Sequence, residues 1–68
     1  RFKELQQKLT ESLARLPKRQ AEVFVLSRIE GLEHSAIARA LGCSNNSVRV
    51  CLHRAVKQLA REMSDYLS

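Results

Sequence analysis

The stretch that decides the fold is His34-Ser35-Ala36-Ile37-Ala38-Arg39-Ala40-Leu41-Gly42-Cys43-Ser44-Asn45-Asn46-Ser47-Val48-Arg49-Val50-Cys51-Leu52-His53-Arg54. It reads as two helices joined by a tight turn at Gly42-Cys43-Ser44. Two helices joined so closely, and crossing steeply, constrain what stands at each position. A small side chain is needed where the axes come nearest, and Ala38 stands there. The turn needs a positive φ, which glycine adopts without a Cβ penalty, and Gly42 supplies it. The positions that face each other must be apolar to hold the angle: Ile37, Leu41, Cys43, Val48 and Cys51. All of these fit a helix-turn-helix, and they account for both cysteines without redox chemistry. Ser44 stands where a hydroxyl caps the first amides of the second helix.

That second helix, about Asn45 to Glu62, has two unlike faces. Val48, Leu52, Ala55, Val56, Leu59 and Met63 form a stripe suited to a core. Opposite them stand Asn46, Arg49, Val50, His53, Arg54, Lys57 and Arg61. Residues 44–61 hold four Lys or Arg and no acid, whereas residues 1–43 hold eight bases and five acids. A merely solubilising face mixes both signs. A purely basic one is the footprint of phosphate binding. Arginine pairs with guanine through two hydrogen bonds, asparagine does the same with adenine, and an apolar side chain such as Val50 packs on a thymine methyl. The arrangement suits a helix laid in the major groove.

Working outward, Phe2, Leu5, Leu9, Leu13 and Leu16 make a stripe about 80° wide on a helix over about Phe2 to Arg15. Pro17 ends that helix and suits the start of the next. The next runs from about Lys18 to Glu30 and stops at Gly31. Its apolar residues Ala21, Val23, Phe24, Val25, Leu26 and Ile29 spread around most of the wheel. Such a helix is either enclosed by the other three or shared between the core and a docked partner. Helices over about 2–15, 18–30, 34–41 and 45–62 predict an all-α, small four-helix domain containing a helix-turn-helix, winged-helix-like in type. The third helix has Glu33 and Ala36 where a capping box would place Ser or Thr and Glu or Gln, which costs it about 1 kcal/mol.

The chain has 68 residues and a net charge of +5. Residues 1–68 form one domain, too small to wall a deep substrate cavity. Cys43 and Cys51, with His34 and His53, match no zinc spacing, so no metal or other cofactor is expected. Ser12, Ser27, Ser35 and Ser47 have no His and acid partnership, and Glu30 and Glu33 have no apolar cleft, so the sequence does not read as an enzyme. His34, at a helix start, reads as a surface residue. No apolar run reaches membrane-span length and no signal-peptide pattern is present, which predicts no membrane insertion. Tyr66 and Leu67 continue the apolar stripe of the last helix.

Leu16-Pro17-Lys18-Arg19-Gln20-Ala21-Glu22-Val23-Phe24 resembles the opening of region 4 of bacterial sigma factors. Glu30-Gly31-Leu32, Ala36-Ile37-Ala38, Leu41-Gly42-Cys43, Ser47-Val48-Arg49 and Leu52-His53-Arg54-Ala55 resemble its later segments. Leu-Pro-x-Arg with Leu-His-Arg-Ala is similar to the extracytoplasmic-function (ECF) group, and the likeness runs over roughly Leu13 to Arg61. The resemblance implies a piece of a longer cytoplasmic bacterial protein that binds double-stranded promoter DNA at the minus-35 element. It further implies docking on the β flap of core RNA polymerase, and masking by an anti-sigma factor that can hold the protein near the membrane. On that reading Arg49, Val50, His53 and Arg54 are base and backbone readers, and Lys18, Arg19 and Lys57 are phosphate contacts. The broad apolar face of the second helix, with Leu13 and Leu16, is the docking surface for flap or anti-sigma.

The sequence also departs from the family. Ser44-Asn45-Asn46 replaces the usual Pro-x-Gly, which adds Asn45, Asn46 and the neighbouring Ser47 to the candidate DNA contacts. Val50 stands where Ser is usual and Cys51 where Arg is usual, which removes one expected contact. Two other readings compete. The output domain of a LuxR-type response regulator has similar spacing, but lacks the amphipathic first helix and Leu-His-Arg-Ala. A protein-interaction module would use the same scaffold with the second helix as its working surface.

Overall fold

Pro17 separates two helices in a computed structural model that describes residues 1–64. The first, α1, spans Phe2–Arg15; Leu16 then turns extended at φ −74° and ψ 150°, as the residue before a proline must. The second, α2, spans Lys18–Phe24 and passes into a π-helical turn at Val25–Ile29. α3 spans His34–Leu41 and α4 spans Asn45–Glu62. The described residues contain no strand, so the helix-turn-helix carries no β wing. Tyr66 and Leu67 lie outside the described residues.

The π turn is the main departure from the expected continuous α-helix over 18–30. Its mark is the Glu30 amide, which donates to the Val25 carbonyl at 2.9 Å, five residues back. The Leu32 amide donates to the Leu26 carbonyl at 2.9 Å, closing the end around Gly31 at φ +77°. A widened turn rotates the residues beyond it relative to an α-helical wheel. Ile29, the last residue of that turn, is 57% exposed between Arg28 and Glu30. The scattered apolar pattern of this segment is the trace of that change in period.

The core divides into two clusters. Val23, Ile37, Ala38, Val48 and Leu52 lock α2, α3 and α4 together, with Phe24, Leu26, Leu41, Cys43 and Cys51 packed around them. Ala38 is buried at the crossing, as its small size predicts, and the free cysteines Cys43 and Cys51 are half-buried. Leu16, Ala55 and Leu59 make a second cluster, with Leu9, Leu13, Ala21 and Phe24 against it. This second cluster joins α1 to α4, and Phe24 touches both.

Two residues of the expected stripes are exposed, and a polar residue outside them is buried. Phe2 is 75% exposed, because α1 meets the rest of the molecule through its C-terminal half. Val56 is 36% exposed and borders a shallow apolar groove with Leu9, Phe24, Ala60 and Met63. Ser12, polar in sequence, is fully buried: Leu9, Ser12, Leu13 and Leu16 follow the i, i+3, i+4, i+7 spacing of one face. Its Oγ closes no hydrogen bond but lies close enough to Glu62 to help stabilise that carboxylate. Glu62 receives Gln58 Nε2 at 3.0 Å and Arg15 Nε at 2.9 Å, with Arg15 Nη2 at 2.7 Å. The Gln58 hydrogen bond, then Arg15, hold its carboxyl below the ordinary range, against a smaller opposing effect of desolvation. This ion pair reinforces the α1–α4 junction.

Candidate nucleic-acid interface

The turn sets how α4 is presented. Gly42 adopts φ +68° and ψ 39°, the left-handed region, and the Cys43 amide returns to the Ala38 carbonyl at 3.0 Å. Ser44 is extended, and its Oγ accepts the Ser47 amide at 3.1 Å, which is the predicted N-cap. The Ser44 hydroxyl in turn donates to Ser47 Oγ at 3.1 Å, and Ser47 stays exposed with its own hydroxyl proton free of the cap. α3 has no side-chain cap at Glu33, as its sequence implied.

From this fixed start α4 turns Val48, Leu52, Ala55 and Leu59 inward. The predicted readers lie on the other side. Asn45, Asn46, Ser47, Arg49, His53, Arg54 and Lys57 are exposed, and Val50 is half-buried. Arg49, Val50, His53 and Arg54, two adjacent pairs one helical turn apart, line one shallow concavity. Arg49 Nη2 donates to Asn46 Oδ1, one turn back along the same face. The acid that ends the helix, Glu62, is paired with Arg15.

The two predicted contacts on α2 have different surroundings. Lys18 is exposed at the first position of the helix. Arg19 Nη1 donates to the Leu41 carbonyl at 3.0 Å, and its Nε lies 3.9 Å from Glu22. The last carbonyls of a helix carry partial negative charge, so a guanidinium is well placed there. Arg19 thus ties α2 to the end of α3, beside the turn that launches α4. Nη2 is engaged by neither contact, and the side chain is half exposed. Nothing local in the sequence signals this tie, because its partners are 22 residues apart.

A second surface has a different character. Ala21, Glu22, Val25 and Leu26 line an apolar groove along α2 and the π turn. Ile29 and Leu32, the latter 41% exposed, are further apolar side chains of the segment that ends α2. Leu16 is buried and Leu13 half-buried in the α1–α4 cluster, so the groove is made by α2 without them. Among the described residues no cluster of three or more His, Cys, Asp or Glu is placed to hold a metal. No described helix is long and apolar enough to cross a membrane.

The family described as sigma-70, region 4, matches residues 6–59, from α1 through the core stripe of α4. The chain belongs to the sigma-70 region 4 family. The region 4 domain is 36% identical over 56 residues to the ECF RNA polymerase sigma factor SigD of Mycobacterium tuberculosis and to that of Mycobacterium bovis. The aligned part is 82% of this chain and 26% of each relative, so the domain spans about a quarter of the length of the curated relatives it matches. The ECF likeness carried by Leu-Pro-x-Arg and Leu-His-Arg-Ala is in keeping with these relatives, and the family match favours the sigma reading over the LuxR-type one. Membership supports a part in promoter recognition, in a family of transcription regulators and not of enzymes.

Proposed function

We propose that this region 4 domain reads the minus-35 element of double-stranded promoter DNA and helps recruit RNA polymerase, as part of an ECF sigma factor. The observation that carries the reading is the convergence of Arg49, Val50, His53 and Arg54 on one exposed surface of a helix stretch without acids. α4 lies in the major groove, its N-terminal half toward the base edges. Arg49 and Arg54 read guanine, Val50 meets a thymine methyl, and His53 contacts a base or the backbone. Lys57, farther along α4, and Lys18 and Arg19, on α2, meet phosphates. Asn45 stands at the start of the helix, where phosphate oxygens approach free amides. No bond is made or broken; the mechanism is recognition, with base pairs discriminated by about 1–3 kcal/mol per good bidentate contact.

Polymerase and an anti-sigma factor would dock on apolar surface. The groove of Ala21, Val25 and Leu26, with exposed Ile29 and Leu32, supports α2 and its π turn as that place. The domain acts in the cytoplasm, where promoter and polymerase are, and an anti-sigma factor would hold it near the membrane.

The test is a salt-titrated selection from a random duplex library, with an Arg49→Ala, Arg54→Ala double variant alongside. The reading expects one short motif to be enriched and the variant to lose it. Equal binding to every sequence refutes base readout, and absence of binding at low salt refutes DNA contact by this domain.

A further inference from the structure

We infer that Asn46 is a positioning residue for Arg49: its carbonyl holds the guanidinium in place for base reading, so that Asn46 sets specificity without itself reading a base. The inference rests on the DNA-reading proposal and deepens it. Among the described residues, Arg49 has one hydrogen-bond partner, Asn46 Oδ1, which accepts from Nη2. The two are three residues apart on an α-helix, where side chains lie on the same face. Asn46 is itself held, since it stands in the first turn of α4, whose start is fixed by the Ser44 cap. No acid occurs in residues 44–61 to draw Arg49 elsewhere.

The geometry divides the work of the guanidinium. One N–H of Nη2 goes to Asn46, and four remain, of which guanine needs two. A carbonyl is the right tether: it is neutral, so it orients the cation without cancelling the charge that attracts phosphate. A free arginine loses rotamer freedom when it binds, and the tether removes most of that loss in advance. That corresponds to roughly threefold to tenfold in preference for the base pair that Arg49 reads. The usual Pro-x-Gly of the family offers no side-chain carbonyl at this position, so the device belongs to this chain's own Ser44-Asn45-Asn46 start.

The experiment compares base-preference profiles and salt dependence of the 68-residue chain with those of Asn46→Ala, Asn46→Gln, Arg49→Ala and the Asn46→Ala, Arg49→Ala double variant. Melting curves confirm that each variant is folded. Asn46→Ala is expected to weaken preference by roughly threefold to tenfold at the same base pair that Arg49→Ala affects, and nowhere else. Its salt slope stays that of the parent, because no charge is lost. In the Arg49→Ala background the Asn46 substitution has no further effect, and Asn46→Gln, which keeps a carbonyl within reach, restores the preference. Loss at a different base pair, or additive losses in the double variant, overturns the inference in favour of direct reading by Asn46. A parent chain with clear preference and an unchanged Asn46→Ala profile overturns this inference alone. A parent chain with no preference overturns the DNA-reading proposal and this inference together.

Discussion

Gly42→Ala tests whether the backbone of the turn, rather than its packing, holds the two helices at their angle. Gly42 sits at φ +68° and ψ 39°, and a Cβ placed there meets no atom within 4 Å. The cost is therefore conformational only. The left-handed region penalises a residue with a Cβ by about 1–2 kcal/mol. Stiffening of the unfolded chain by alanine offsets about 0.4–1 kcal/mol of this. The expected net loss is about 1 kcal/mol, which lowers the midpoint of thermal unfolding by about 4–8 °C in a domain this small. Far-UV circular dichroism melts measure it. Gly31, at φ +77° and also without a neighbour within 4 Å of a Cβ, is the internal control: Gly31→Ala should cost about as much. Gly42→Asn should cost less, since asparagine tolerates the left-handed region better. DNA binding by Gly42→Ala well below its midpoint should match the parent, because the folded turn is unaltered. A loss above about 3 kcal/mol would mean a clash that this turn does not contain. A raised midpoint would mean that residue 42 is not left-handed, since alanine then only stiffens the unfolded chain, and either result would refute the reasoning.

Ser44→Ala removes the acceptor for the Ser47 amide and should cost about 1 kcal/mol in a urea melt. Glu33→Ser with Ala36→Glu should stabilise by a similar amount, about 1 kcal/mol, by giving α3 the capping box it lacks, measured the same way. Ile37→Ala opens a cavity in the fully buried centre and should cost about 2–5 kcal/mol, enough to leave much of so small a domain unfolded by circular dichroism at room temperature. The Glu62 carboxyl lies below its ordinary range in the folded chain, so its contribution is present above the unfolded pKa and fades as pH falls through the folded one. Glu62→Gln should therefore flatten the acid limb of the stability–pH profile below about pH 4.5, where the parent curve declines.

The helix-turn-helix was legible because its constraints are local. Ala38, Gly42 and Ser44 each answer a need set within a few residues, and all three take the expected places. Pro17 marked the break between α1 and α2 for the same reason. Misreadings arose where a wheel was drawn as though one partner covered a whole helix. α1 is covered along only half its length, which exposes Phe2. The core stripe of α4 spans two clusters, and Val56 falls at the open groove beside α1. In the interface, the exposed basic face followed from the wheel, whereas the ties of Arg19 to Leu41 and of Arg49 to Asn46 did not. Side-chain hydrogen bonds leave no period in the sequence.

The division of the core into two clusters has a consequence for hydrogen exchange. Val23, Ile37 and Val48 are wholly enclosed, so the amides of α3 and the first half of α4 should open only when the entire domain unfolds. α1 is held by the smaller cluster and one ion pair, and it can detach while the other helices stay assembled. Its amides, starting from the Phe2 end, should exchange orders of magnitude sooner. The domain thus has a gradient of rigidity, stiffest directly behind the basic face of α4 and loosest along α1, so a partner that grips α1 would meet a segment able to peel away without disturbing the helix that carries Arg49 and Arg54.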